Sequence, residues 1–174
     1  TAIPGSERVP HRVIDRDAEV RIGEMIVRSF PVSHDAAAPV GYTLCNNTAS
    51  VCSATDTGVL TERIRSEAMN SDLLILESNH DEEMLLKGPY PYCLKRRIGS
   101  DRGHLSNDAA TGLLLDLADA GSRVSVWLAH LSRTNNTPGI ALATAQEALW
   151  TCLGATLDMS VAMRDVPSLR WRSN

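Results

Sequence analysis

The chain has 174 residues, 43% apolar and 22% charged, which is ordinary globular composition and enough for one domain with a real core. A formal net charge of −4 excludes an overall electrostatic grip on nucleic acid and leaves that task to a local basic patch. With no run of 18 apolar residues and no signal-like opening, no membrane span is expected, and the expected location is cytoplasmic.

One Phe, three Tyr and three Trp make the expected core mostly aliphatic. Residue 1 is Thr rather than Met, compatible with a start partway through a longer protein. Residues 1–17 hold prolines, glycine and mixed charges and read as a loop or a cut end. Glu19–Ile22 and Met25–Val32 read as strands around Gly23. Gly41–Cys45 and Val51–Thr55 read as a hairpin joined by Asn46-Asn47-Thr48. Helical spacing runs from Val59 to Met69, with Leu60, Ile64 and Ala68 on one face. Leu73-Leu74-Ile75-Leu76 is a short apolar run suited to a buried strand. Two short helices are expected near Asp81–Lys87 and Pro91–Ile98. A longer one from Asn107 to Ala120 is capped by Ser106 and closed by Gly121. Val124–Ala129 is another buried strand, Pro138–Leu153 a long helix ended by Gly154, and Thr156–Met163 a last strand. The stretch from 164 to 174 reads as a basic, frayed tail. Strands first, then alternating strand and helix, predict an α/β (α+β) domain with a mixed sheet and packed helices.

The four cysteines, Cys45, Cys52, Cys93 and Cys152, form no Cys-x-x-Cys pair and read as reduced, mostly buried thiols. Cys45 and Cys52 flank the hairpin turn and are the one pair considered for a disulfide, which a reducing compartment disfavours.

The chemistry concentrates at strand ends and helix starts. His34 follows a strand in Val32-Ser33-His34-Asp35. Asp56 follows one in Thr55-Asp56-Thr57-Gly58. His80 lies in Glu77-Ser78-Asn79-His80-Asp81, His104 in Gly103-His104-Leu105-Ser106-Asn107, and His130 in Ala129-His130-Leu131-Ser132. Such positions are where α/β proteins build sites. Singly, each has an ordinary explanation: a hydrogen-bonding His, a turn Asp, a helix-start charge. The repetition of apolar strand, then His or Asp, then a small polar residue argues for ligands.

Taken in order, these motifs, with Gly41-Tyr42 between the first two, resemble the YycJ/WalJ-type branch of the metallo-β-lactamase superfamily over residues 19–163. The skeleton is also similar to ribonuclease Z and the phosphoribosyl cyclic phosphodiesterases. The resemblance implies the C-terminal half of an αββα sandwich and a metal-dependent phosphodiesterase or nuclease, exonuclease-like, with DNA the favoured partner. It implies that His34, Asp56 and His130 ligate two divalent metals, Zn²⁺ or Mn²⁺, with Asp56 bridging. Two ions about 3.5–4 Å apart stabilise both the attacking and the leaving oxygen of a phosphoryl displacement. It implies that His104 meets the scissile phosphate as a catalytic residue and that His80 occupies a segment with a proton-transfer role. Ser106 and Asn107, at a helix N-terminus, are expected to bind an anion. Lys95, Arg96 and Arg97, with Arg102, are expected to touch a nucleic-acid backbone; a solvated helix face is the ordinary reading of that run.

The family's His-x-His-x-Asp-His motif is absent. In the family it lies N-terminal to the segment seen here, so a partial protein is the favoured account and a degenerate homologue the other. The isolated chain is then expected to be inactive and poorly soluble, with one sheet face bare unless a partner or a second copy covers it. Two other readings stand beside the leading one: the same fold acting on a thioester, a lactam or a small cyclic phosphate, and a non-catalytic binding module.

Overall fold

The computed structural model describes residues 13–173. Residues 13–18 and 164–173 carry no strand or helix, and the loop expected at residues 1–12 lies outside the described part. Strands β1 (Glu19–Ile22), β2 (Met25–Pro31), β3 (Val40–Cys45) and β4 (Ser50–Ala54) form an antiparallel meander. Strands β5 (Leu73–Glu77), β6 (Ser125–Ala129) and β7 (Met159–Val161) extend it in parallel. The sheet order is β1-β2-β3-β4-β5-β6-β7, so the expected mixed α/β architecture is observed.

Helices α1 (Glu62–Met69), α4 (Asn107–Asp119) and α5 (Pro138–Leu153) lie on the sheet, and the shorter α2 (Glu82–Lys87) and α3 (Tyr92–Ile98) fall between β5 and α4. Their starts are set by side chains that accept an otherwise unpaired backbone N–H: Thr61 from Ile64, Asp81 from Met84, Ser106 from Ala109 and Thr137 from Ile140. The first helix therefore begins at Glu62 rather than Val59, because Thr61 caps it. Gly154 takes the left-handed conformation that ends α5. The last strand is three residues long, shorter than Thr156–Met163, since only Met159–Val161 pairs with β6.

Strand alternation directs Cys52, Ala54, Leu74, Leu76, Val126 and Leu128 to one face, where they pack with Phe30 and with Ile64, Leu113, Leu114, Leu117 and Ala141 from the helices. On the opposite face Leu44, Val51, Ile75 and Trp127 are only partly buried. Of the cysteines, only Cys52 is buried, and burial pushes its thiol up to about 12; Cys93 and Cys152 are exposed. This corrects the expectation of mostly buried thiols, which overlooked that Cys93 and Cys152 fall on the outer faces of their helices. Cys45 pairs across the ladder with Ser50, and Cys52 with Thr43, so the two cysteines do not face one another; all four are free.

Gly41 pairs with Phe30, whose ring lies over it: a Cβ there would sit 2.4 Å from the ring and 2.9 Å from the Ser53 carbonyl. Overpacking of this kind costs about 1–3 kcal/mol. Gly41→Ala is expected to lower the unfolding free energy by that amount, read as a lower urea midpoint at an unchanged slope. An unchanged midpoint would show that the Phe30 ring moves aside freely.

Candidate metal and catalytic site

Parallel pairing of β4, β5 and β6 puts their C-terminal ends at one sheet edge. Asp56 follows β4 by two residues, Glu77 is the last residue of β5, and His130 directly follows β6. Asp56 (φ 55°) and His130 (φ 56°) both adopt the left-handed backbone conformation, which is uncommon for side chains other than glycine and concentrates at functional turns. Hydrogen bonds hold these turns. Asn79 Nδ2 donates to the His130 carbonyl at 2.8 Å, and the Ser132 amide donates back to the Asn79 carbonyl at 2.7 Å. The Gly58 amide donates to the Ser33 carbonyl at 2.8 Å, tying the Asp56 loop to the His34 segment.

His104 arrives from the loop before α4. Gly103 precedes it because no Cβ fits there: one would meet the Ile98 carbonyl oxygen at 2.1 Å. That close approach allows the His104 amide to donate to Ile98 at 2.8 Å.

Glu77 organises the centre. It is fully buried, and its Oε1 lies 2.8 Å from His104 Nδ1 and 2.7 Å from His130 Nδ1. Its Oε2 accepts the Thr57 amide at 2.8 Å. Burial alone would push the carboxyl up, but hydrogen bonds from His104, His130 and Thr57 hold it below the usual glutamate range. An ionised carboxylate only accepts, so both Nδ1 atoms carry protons and both Nε2 atoms are left for the site. The bond to Glu77 raises the His130 pKa despite burial. Asp56 Oδ1 lies 3.8 Å from each of these Nδ1 atoms and 3.7 Å from His34 Nε2. The His34, His104 and His130 rings form a row with centroids 5.1 and 5.3 Å apart. Among the described residues, Asp56, Glu77, His104 and His130 form a group whose ligand atoms lie within 4.8 Å of one another, close enough to bind a metal.

The structure thus brings together His34, Asp56, His104 and His130. His80 is not in this group: it is 3% exposed, and its burial lowers its pKa. Ser106 caps α4 and donates to Glu82 at 3.1 Å. Asn107 is buried in a network with Ser78 and Asn136 and does not reach the cluster. Arg97 is held by Asp35 through two hydrogen bonds of 2.5 and 3.0 Å, whereas Arg96 and Lys95 form no ion pair among the described residues. Glu77 was missed as a site residue. Its signal was present: an acid closing an otherwise aliphatic strand is costly to bury without partners.

A family description, the β-lactamase superfamily domain, matches residues 2–130. The chain belongs to the metallo-β-lactamase superfamily. It is 39% identical over 127 residues to the exodeoxyribonuclease YycJ of Bacillus anthracis, covering 73% of this chain and 48% of that protein. It is 38% identical over 141 residues to the exodeoxyribonuclease WalJ of Streptococcus pneumoniae, covering 80% of this chain and 52% of the relative. The chain therefore spans about half the length of these relatives. The fold matches the metallo-β-lactamase fold protein YhfI of Bacillus subtilis with a TM-score of 0.58 at 16% identity, over 84% of this chain and 51% of that one. Among the described residues no helix is long and apolar enough to cross a membrane.

The left-handed backbone at His130 predicts a stability order. His130→Gly and His130→Ala both lose the Glu77 bond, but only alanine keeps a Cβ at φ 56°. His130→Ala is expected to be less stable than His130→Gly by about 1 kcal/mol in urea unfolding. The reverse order would mean that the turn relaxes on losing its imidazole.

Proposed function

We propose that the chain is part of a metal-dependent hydrolase that cleaves phosphodiester bonds in DNA, exonuclease-like, with a dinuclear site. The observation that carries this reading is the Glu77-anchored pair, His104 and His130, facing Asp56 and His34. The YycJ and WalJ likeness supports a DNA substrate.

The donor set fits divalent zinc or manganese: imidazole from His34 and His130, carboxylate from Asp56. These three cannot fill two coordination spheres, so further ligands come from outside the described residues. His34 Nδ1 accepts the Ala36 amide at 3.1 Å, which in the neutral ring leaves the proton on Nε2, toward Asp56. A metal held by His34 Nε2 would require the ring proton on Nδ1, at the expense of the Ala36 hydrogen bond, with Asp35 Oδ1 3.5 Å away to receive it. Bound metals would supply Lewis acidity at the phosphoryl group and an activated water. His104, its Nδ1–H held by Glu77, presents Nε2 to a phosphoryl or leaving oxygen; as the imidazolium it donates its Nε2 proton there and returns to the neutral ring with Nδ1–H still on Glu77. Lys95 and Arg96 are positioned to meet the backbone of the substrate strand.

The test uses the chain extended at its N-terminus by any upstream coding sequence, with the 174-residue chain beside it, on DNA ends, bis-nitrophenyl phosphate and a thioester. Hydrolysis of DNA ends by the extended form and little by the short form is expected. Asp56→Asn should lose both metal and activity. His104→Ala should keep its metal and lose roughly 10²–10⁴-fold in rate. Thioester hydrolysis without DNA cleavage, or full activity in His104→Ala, would overturn the reading.

A further inference from the structure

Beside the histidine row a cleft of about 450 Å³ runs from His104 out to α2 and α3, a volume in the range of sites that take one small molecule. Its inner end is polar. His104 lines it, and so does His80, which is 3% exposed and whose Nδ1 has no hydrogen-bond partner among the described residues. The middle is apolar, walled by Leu85 and Leu86. The rim carries Tyr92, 75% exposed, with the Arg96 guanidinium 5.9 Å above its ring, and Lys95 beside it. Tyr92 and Arg96 thus offer the cleft an accessible aromatic face and a guanidinium that forms no ion pair among the described residues.

Resting on the phosphodiesterase reading of the adjoining site, we propose that this cleft binds one nucleoside monophosphate unit of the substrate strand, the unit next to the scissile phosphate. The base stacks on Tyr92 against Leu86, Arg96 and Lys95 meet phosphate charge, and the phosphodiester to be cut lies at His104. An aromatic platform flanked by cations is the combination that holds an unpaired nucleotide with little sequence preference, because every base has a π-face. A peptide or lipid gains little from a lone stacking ring beside two cations. At about 450 Å³ the cleft has room for one nucleotide, so it receives a strand end or a splayed nucleotide rather than an intact duplex.

The test is a ¹H–¹⁵N NMR titration of the 174-residue chain with dAMP, AMP and deoxyribose 5-phosphate, all with EDTA present. Expected are dAMP-induced shifts of the Tyr92, Arg96, Gly99 and His104 amides. Tyr92→Ala should weaken dAMP roughly five- to a hundredfold, as expected for one lost stack, while Tyr92→Phe stays near wild type. Ala109→Glu places a carboxylate on an exposed helical position of the cleft wall; it should weaken dAMP and leave the melting temperature unchanged. Tighter dAMP than AMP would assign the cleft to a DNA strand and the converse to RNA. Unmoved amides, Tyr92→Ala binding like wild type, or deoxyribose 5-phosphate binding as well as dAMP would overturn the proposal. Because the titration needs neither metal nor turnover, cleft binding with no hydrolysis by the N-terminally extended chain sinks only the hydrolase reading. Hydrolysis without cleft binding sinks only this one.

Discussion

One buried carboxylate fixes the geometry of everything around it. Glu77 closes the interior strand β5 and has no contact with solvent, a position in which an unpaired charge would be strongly unfavourable. Its compensation comes from three separate parts of the chain: the loop after β4 through Thr57, the loop before α4 through His104, and the end of β6 through His130. Charge-assisted hydrogen bonds of this kind are stronger than neutral ones and set direction as well as energy. The same bonds that make Glu77 tolerable therefore aim both imidazoles and draw the Asp56 loop inward. Fold stability and site geometry are the same interaction seen from two sides.

The left-handed turns at Asp56 and His130 follow from this arrangement. A strand that runs straight on carries its next side chain past the sheet edge; a reversal of the backbone just after β4 and β6 turns it back over Glu77. The strain is held by hydrogen bonds from neighbouring segments: Asn79 on the His130 carbonyl and the Ser33–Gly58 pair beside Asp56. Small residues that recur in the motifs, such as Gly58 and Gly103, have a similar origin, since backbone from the 98–101 segment presses within 2.3 Å of where their Cβ atoms would lie.

Much of this was legible in the sequence. The apolar runs at 73–76 and 124–129, the caps Ser106 and Gly154, and the recurrence of His or Asp after strands located the sheet, the helices and the edge where His34, Asp56, His104 and His130 meet. What the sequence hid depends on three-dimensional neighbours. Asn107 looks like an anion ligand at a helix start, but Ser78 and Asn136 consume its amide inside the core. Arg97 looks like one of three equivalent cations on α3, yet helical geometry separates it from Arg96 and delivers it to Asp35. The acid at the end of β5 is visible in the sequence, but not what Glu77 binds, because its partners are 20 to 53 residues away along the chain. Exposed Cys93 and Cys152 escaped notice because thiol burial depends on which helix face they occupy.

Glu77 fixes the protonation of two imidazoles, and nitrogen NMR reads this directly. Long-range ¹H–¹⁵N correlation spectra of the ¹⁵N-histidine-labelled, metal-free chain at about pH 9 distinguish the two neutral tautomers. The account predicts that His104 and His130 are both protonated at Nδ1 with a free Nε2, and that both lose this preference in Glu77→Leu. Protonation at Nε2 in the unaltered chain would contradict it, because neither ring would then be donating to Glu77.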